Sequence, residues 1–471
     1  MSFWKSSNKN IKYLSLDKSI VEEYNNIRSK EKRKYLCHAP FKSMTFFHTG
    51  DILACWYNKL FPLGHYPEDS VHDIWFSKRA DTLRNYIKHN DLSYGCADCR
   101  KSFNSMNFYS SGAWRYDFLP ESSGKYPASV DFQISNTCNL QCIMCNGEYS
   151  ANVRANRENK EMYKNPYDDN FFKQITEFIP HLKEASFSGG EPFFAKEFSR
   201  VWDLIIKLNP RINISVTTNG NIYNEKVQSY LDALKFNISV SLDAVTEETY
   251  NKIRVNGNFN TVMKNIRIFS DYTKKKGTFF SVKICPMRQN WPELHELSKS
   301  LSEKNISFLY NTVFYPPYCS LWNLNSVKLD KIAAFLQSKS MPANTEVQRE
   351  NAKRYNDMAL QIKHWHKEAV KREEWKLESM SLTQLRDFFM KNVLDYINRE
   401  ASIKFEEKPA RIKKVSDLIG KMIQDSPSER AAMMGMQYYS IAPVERLLAE
   451  IEIRDYEKNR DRFLQIGLMD C

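Results

Sequence analysis

A chain of 471 residues, 42% apolar and 26% charged, has the composition of an ordinary globular protein, so wholesale disorder is excluded and two or three domains are expected. Aromatic residues make up 13% and can fill a sizeable core, while only 14 glycines exclude collagen-like or glycine-rich architectures. Lys and Arg total 68 against 56 Asp and Glu, a net charge of +12, which leaves nucleic acid, anionic lipid and acidic substrates open as partners.

Residues 1–10 lack the apolar stretch of a secretory signal, and no run of about 18 apolar residues is present to span a membrane. A cytoplasmic protein with no membrane partner is expected. The basic residues are scattered through helical segments and come with no RGG, RNP or zinc-finger pattern. They read as a solvated basic face, and nucleic acid is not the expected partner.

Residues 1–35 are polar and read as a helical lead-in. Residues 36–100 hold four cysteines between turn signals at Thr49-Gly50-Asp51 and Pro62-Leu63-Gly64. Residues 101–126 read as a linker, punctuated by Ser-Ser-Gly and Pro. From 127 the pattern changes. Runs with strand character lie at 129–134, 184–188, 212–217, 237–242, 279–284 and 306–313. Amphipathic helical stretches separate them, at 170–178, 196–208, 224–234, 247–253 with 260–272, and 292–304. This alternation implies parallel βαβ units, and six of them give a partial (β/α)6 TIM-like barrel rather than the closed eightfold one. The loops after the strands would then carry the chemistry. Apolar residues recur at helical spacing over 330–337, 352–371, 382–400 and 443–463. The expected fold is therefore α/β, with a small N-terminal Cys-rich module and linker over 1–126, the barrel over 127–319 and a helical C-terminal extension over 320–471.

Ten cysteines are the informative feature. A chain of this size needs no disulfide staples, and clustered cysteines in a reducing compartment are more often metal ligands. Immediately after the first barrel strand comes Ser135-Asn136-Thr137-Cys138-Asn139-Leu140-Gln141-Cys142-Ile143-Met144-Cys145, a C-x3-C-x2-C loop. Three thiolates on one loop can ligate three irons of a cubane cluster and leave the fourth open to a substrate or cofactor. A structural zinc site would want a fourth ligand close by, and none stands in this loop. A zinc loop, or three unconnected buried cysteines, is the alternative.

C-x3-C-x2-C after the first strand of a βα barrel resembles the radical S-adenosylmethionine (radical SAM) superfamily, and further matches follow in order. Ser188-Gly189-Gly190-Glu191-Pro192 ends the second strand and resembles the GGEP motif. Its glycines let the backbone approach a ligand, and its carboxylate can accept from an ammonium group. Thr217-Thr218-Asn219-Gly220 is similar to the family's TNG segment. Ser241 and Asp243 share a face under strand alternation and resemble an S-x-D that contacts the cofactor's ribose or methionine end. Arg254 resembles an arginine that pairs with the cofactor carboxylate, and Asn290 stands where relatives place a cofactor-contacting asparagine. An N-cap for Asp243 and a surface ion pair for Arg254 are the alternatives.

The resemblance covers about residues 127–316. It implies that Cys138, Cys142 and Cys145 bind a 4Fe–4S cluster, with Met144 at the usual apolar position before the last cysteine. Met144, Gly189, Gly190, Glu191, Thr218, Asn219, Ser241, Asp243, Arg254 and Asn290 are the implied cofactor contacts. It further implies S-adenosyl-L-methionine on the open iron, a 5′-deoxyadenosyl radical that abstracts hydrogen from substrate, and a reducing partner such as a flavodoxin or ferredoxin.

Cys37, Gly50 and Cys55 are spaced C-x12-G-x4-C, and Cys96-Ala97-Asp98-Cys99 supplies a second pair. Four cysteines in two pairs can close a tetrahedral metal site, and a structural zinc ribbon is one reading of them. The arrangement is also similar to the SPASM and twitch domains that follow the barrel in many radical SAM enzymes and bind auxiliary 4Fe–4S clusters. No cysteine stands between Cys99 and Cys138, so a one-cluster, twitch-like module is expected, here ahead of the barrel. Four protein ligands leave no open corner, which favours electron transfer and hence net oxidation.

Cys285 ends the fifth strand and Cys319 follows the sixth. Either thiol could return a hydrogen atom to a substrate radical, as epimerases of the superfamily do, or serve as a small buried hydrophobe. Cys471 is terminal and is assigned no role. The implied function is a radical SAM oxidoreductase acting on a peptide or protein side chain, with the auxiliary cluster as electron acceptor. A dehydrogenase or epimerase of a sugar or aminocyclitol is the alternative within the class. A zinc-containing nucleic-acid-binding protein is the alternative outside it, and it leaves residues 189–192 and the three-cysteine loop unexplained.

Overall fold

The computed structural model describes residues 13–467 apart from 60, 123, 401, 402 and 404. Residues 1–12 of the expected lead-in, and Cys471, lie outside the described residues. By contacts the chain forms two compact units. The first takes in the described part of 1–134 with 165–186 and 203–212, and the second takes in 135–164, 187–202 and the described part of 213–471.

The first unit opens with helical segments Lys18–Asn26 and Lys30–Lys34. Its strands are β1 (Ser43–Phe47), β2 (Asp51–Leu53), β3 (Gly64–His65), β4 (Ser129–Gln133) and β5 (Glu184–Phe187), in the order β3-β2-β1-β4-β5. β1, β2 and β3 form an antiparallel meander. The turn between β1 and β2 needs Gly50, whose φ is +96° and where a Cβ would stand 2.2 Å from the Tyr66 carbonyl oxygen. β1 then pairs in parallel with β4 over five residues, from Ser43 opposite Ser129 to Phe47 opposite Gln133. Phe46 and Phe132, opposite each other, stack at 5.4 Å between centroids, an aromatic cross-strand pair that fixes the register.

The sequence reading had no strands before 129. β2 and β3 are too short to show a period, and β1 is buried on both faces and so does not alternate. Nor is 101–126 a bare linker. Helices Ala97–Asn104 and Gly112–Tyr116 occupy part of it, and the buried Asp117 carboxylate accepts from Arg28 Nε at 2.5 Å, Arg28 Nη2 at 2.7 Å and Tyr24 Oη at 3.0 Å.

The second unit holds β6 (Asn213–Thr218), β7 (Phe236–Ser241), β8 (Phe280–Ile284) and β9 (Ser307–Tyr310), paired in parallel in that order. Helices Glu225–Ala233, Phe259–Lys276 and Leu294–Glu303 return the chain between them. One face of the strands is apolar, with Ile214, Val216, Ile238, Val240, Val282 and Ile284 buried. The other is polar, where Lys283 Nζ donates to Thr217 Oγ1 at 2.8 Å and the Ser239 and Ser281 hydroxyls meet at 2.8 Å. β9 is shorter than the expected 306–313. Its free edge is covered by helix Glu346–Glu373, whose buried Asn351 donates to the Ile306 carbonyl at 2.9 Å and accepts from the Phe308 N–H at 3.2 Å.

The C-terminal extension is helical as expected: Ser326–Gln337, Glu346–Glu373, Leu382–Arg399, Lys408–Gln424, Glu429–Ile441, Val444–Ile453 and Tyr456–Gly467. The stretch 443–463 is two helices rather than one. The break falls at Asp455, whose side chain accepts from the Lys458 N–H at 2.8 Å and so caps a new helix. Among the described residues, no helix is long and apolar enough to cross a membrane.

Candidate cofactor site and second cysteine cluster

The loop bearing Cys138, Cys142 and Cys145 lies in the second unit and is tied down by its own carbonyls. Asn152 Nδ2 donates to Cys138 O at 2.7 Å, Tyr318 Oη to Ile143 O at 2.8 Å and Arg157 Nη1 to Cys142 O at 3.2 Å, while Arg157 Nη2 reaches Cys145 O. The backbone also pairs with the segment around Arg254: Gln141 N–H donates to Val255 O at 2.9 Å and Ile143 N–H to Ile253 O at 3.0 Å. Asn152, Arg157 and Tyr318 were not read from the sequence. Their bonds go to main-chain carbonyls, which leave no spacing signature.

The three thiols lie within electrostatic reach of one another. Burial pushes all three up, Cys145 to about 12, and Cys142 with Cys138 is raised further by neighbouring acids. A metal–sulfur centre would replace these protons on binding. Among the described residues no three His, Cys, Asp or Glu side chains converge on one metal ion. A cubane does not require that, because each thiolate takes its own iron. Met144 and Ile143 pack with Cys285 and Tyr318 against a core of Ile253, Met287, Val313 and Cys319.

Gly189 and Gly190 both have positive φ, +90° and +50°. A Cβ on Gly190 would stand 2.3 Å from Thr137 O, and the next N–H, of Glu191, donates to that oxygen at 2.9 Å. The turn thus docks directly on the start of the cysteine loop. Glu191 is fully buried. One oxygen accepts from Thr218 Oγ1 at 2.7 Å and Phe193 N–H at 3.0 Å, and the other from Asn219 N–H at 2.6 Å. Burial raises its carboxyl to about 7 despite these donors. In this structure the carboxylate braces the end of β6. Asn219 Nδ2 donates to Asn139 Oδ1 at 2.8 Å and lies 3.9 Å from Cys138 Sγ.

Ser241 is half-buried at the end of β7, and Asp243 is fully buried beyond it. Asp243 is not a helix cap, since Thr246 caps Glu247–Ile253, and its pair with Arg254 is not on the surface. Arg254 Nε and Nη2 both stand 2.6 Å from Asp243 Oδ2, while Oδ1 accepts from the Cys285 N–H at 2.7 Å. Arg254 Nη1 lies 3.6 Å from Cys142 Sγ. Asn290, also fully buried, donates to the carbonyls of Asp243 and Cys285 at 2.8 and 2.9 Å and accepts from Met287 N–H at 2.7 Å. It locks the ends of β7 and β8 together. Cys285 is half-buried, whereas Cys319 is enclosed in the core.

The first unit gathers the other four cysteines. Cys37, Cys55 and Cys99 are buried and Cys96 is half-buried. Cys96 and Cys99 frame the first turn of helix Ala97–Asn104, and Cys55 follows β2. Burial raises each thiol, Cys55 to about 12, and Cys37, Cys55 and Cys96 are raised further by the other thiols. Opposing this, backbone N–H groups of Ala39, Tyr57 with Asn58, and Gly112 with Ala113 favour the thiolates of Cys37, Cys55 and Cys99 respectively. A buried four-sulfur set with amides aimed at it fits a metal–sulfur centre. None of the nine described cysteines forms a disulfide.

The radical SAM superfamily profile matches residues 132–299, and the SPASM profile, an iron–sulfur cluster-binding domain, matches residues 37–100, which include all four N-terminal cysteines. A probable GTP 3',8-cyclase of Methanocaldococcus jannaschii is 30% identical over 32% of this chain and 47% of its own length. The probable GTP 3',8-cyclase of Methanosarcina mazei is 28% identical over 29% of this chain and 39% of its own. The chain thus spans less than half the length of these two curated relatives. Among solved structures, anSMEcpe with bound AdoMet is similar at 20% identity and a TM-score of 0.34, covering 45% of this chain and 59% of that one. Streptococcus suis SuiB bound to its precursor peptide SuiA is similar at 14% identity and a TM-score of 0.33, covering 54% and 60%. These two domains carry 4Fe–4S clusters and S-adenosylmethionine as their cofactors. The chain thus carries a SPASM iron–sulfur domain ahead of a radical SAM domain.

Proposed function

We propose that this protein is a radical SAM oxidoreductase that modifies a peptide or protein side chain. Cys138, Cys142 and Cys145 hold the cluster that meets S-adenosylmethionine, and Cys37, Cys55, Cys96 and Cys99 hold an auxiliary one. The observation that carries this reading is the pair of cysteine sets, one three-membered and one four-membered, each with its thiols within electrostatic reach of one another. When bound, the reduced cluster and S-adenosylmethionine supply a 5′-deoxyadenosyl radical that removes a hydrogen atom from a substrate C–H bond.

The chain's own residues orient and enclose. The Gly190 turn and the Glu191 brace fix the loop and the end of β6, and Asn290 fixes β7 to β8. Ile143 and Met144 offer an apolar wall. In the alternative epimerase reading, the half-buried Cys285 would return a hydrogen atom in place of net oxidation, and Cys319 serves as a buried hydrophobe. A four-thiolate cluster has no open corner and passes electrons, which favours net oxidation. The net charge of +12 suits an acidic flavodoxin- or ferredoxin-like donor. A reducing, cytoplasmic compartment suits clustered thiols that hold iron. The relatives named as GTP cyclases support a second reading, a small-molecule substrate.

The test is iron and sulfide content of anaerobically reconstituted protein, EPR with and without S-adenosylmethionine, and 5′-deoxyadenosine release on reduction. About eight irons, from two four-iron clusters, are expected. The variant C138A/C142A/C145A should lose cofactor cleavage, and retained cleavage rejects the assignment. C96A/C99A should cleave the cofactor but give no net oxidation. Zinc without iron favours the nucleic-acid-binding alternative.

A further inference from the structure

We infer that Arg254 tunes the Cys142 thiolate by donating an N–H to its sulfur. The inference rests on Cys142 being a ligand of the three-cysteine cluster. The two backbone bonds from Gln141 to Val255 and from Ile143 to Ile253 flank the pair, so Cys142 and Arg254 stand opposite each other in a short bridge. From there Arg254 Nη1 reaches Cys142 Sγ at 3.6 Å, a donor distance for sulfur.

Asp243 holds the guanidinium beside that sulfur. Nε and Nη2 both hold Asp243 Oδ2 at 2.6 Å. Asp243 is in turn fixed by the Cys285 N–H and, through its carbonyl, by Asn290. Swinging Arg254 away toward a ligand would strand a fully buried carboxylate, which is strongly unfavourable. A cationic N–H on a ligand sulfur stabilises the cluster more in its reduced, more negative form, and so raises its potential.

The test uses full-length reconstituted protein and follows the EPR signal that responds to S-adenosylmethionine through a redox titration. R254Q should move the midpoint to more negative potential, and R254K should fall between it and the parent. D243N, which strips the partner that offsets the guanidinium charge, should move it the opposite way and decides the matter if R254Q fails to load iron. Opposite shifts from two members of one pair are not the mark of a merely structural role. An unchanged R254Q midpoint overturns the inference. If that comes with S-adenosylmethionine binding weakened about tenfold or more, the loss expected of an unmade charged hydrogen bond, Arg254 is the carboxylate anchor instead. Parent protein with no S-adenosylmethionine-responsive cluster overturns the underlying reading as well, whereas a loaded parent with an unmoved R254Q midpoint overturns this inference alone.

Discussion

At Gly190 the backbone φ is +50° and the Thr137 carbonyl lies where a side chain would start. Gly190→Ala should therefore cost about 1–3 kcal/mol of stability and lower the iron taken up, read by urea unfolding and iron assay. Parent-like values would show that the loop can yield. Glu191 makes a second prediction. Its carboxyl titrates near 7 in the fold against an ordinary 4.5, because burial outweighs its donors. The folded state therefore binds this proton more tightly than the unfolded chain. The resulting stability is complete below about 4.5 and is lost as pH rises through about 7. Between about pH 5 and about pH 8 the cluster-free protein should lose more stability than E191Q does, and equal losses would remove the effect. Which residues gather was legible in the sequence, from the cysteine spacing and the strand-end motifs. What each touches was not. Glu191 and Asn290 are expected from their motifs to contact a cofactor, and the bonds they also make within the chain carry no spacing signal.

The six strands that alternate with helices were legible within a few residues, because half-buried strands alternate and amphipathic helices repeat every three to four residues. Helices Lys408–Gln424 and Glu429–Ile441 lie in the stretch expected to be helical, but the sequence pattern does not delimit them. Each carries a glycine, and Gly435 leaves so little room that a Cβ there would meet the Phe463 ring at 2.6 Å. Packing between helices, rather than local pattern, decides that region. The edge of β9 offers a test at this scale. Asn351→Ala would leave the Ile306 carbonyl and the Phe308 N–H without their side-chain partner, at a cost of about 1–3 kcal/mol in denaturant unfolding. A change within error would mean that water takes over both groups.

For the whole molecule, the boundary placed at 126 does not coincide with the division made by contacts, which keeps β4 with the N-terminal cysteines. The cause is the parallel pairing of β1 with β4, a long-range match that composition and linker signals do not encode. Cutting the chain to 127–471 should therefore yield aggregated protein, since β4 loses a five-residue partner and bares one edge. A monodisperse gel-filtration peak from that truncation would count against this. The same pairing limits how such proteins can be recombined. A foreign iron–sulfur module could not be spliced on at a flexible joint as an interchangeable cassette, because it would have to donate a strand of matching direction, length and register, with an aromatic set to meet Phe132. Compatibility between module and barrel is thus a question of backbone grammar before it is one of electron transfer.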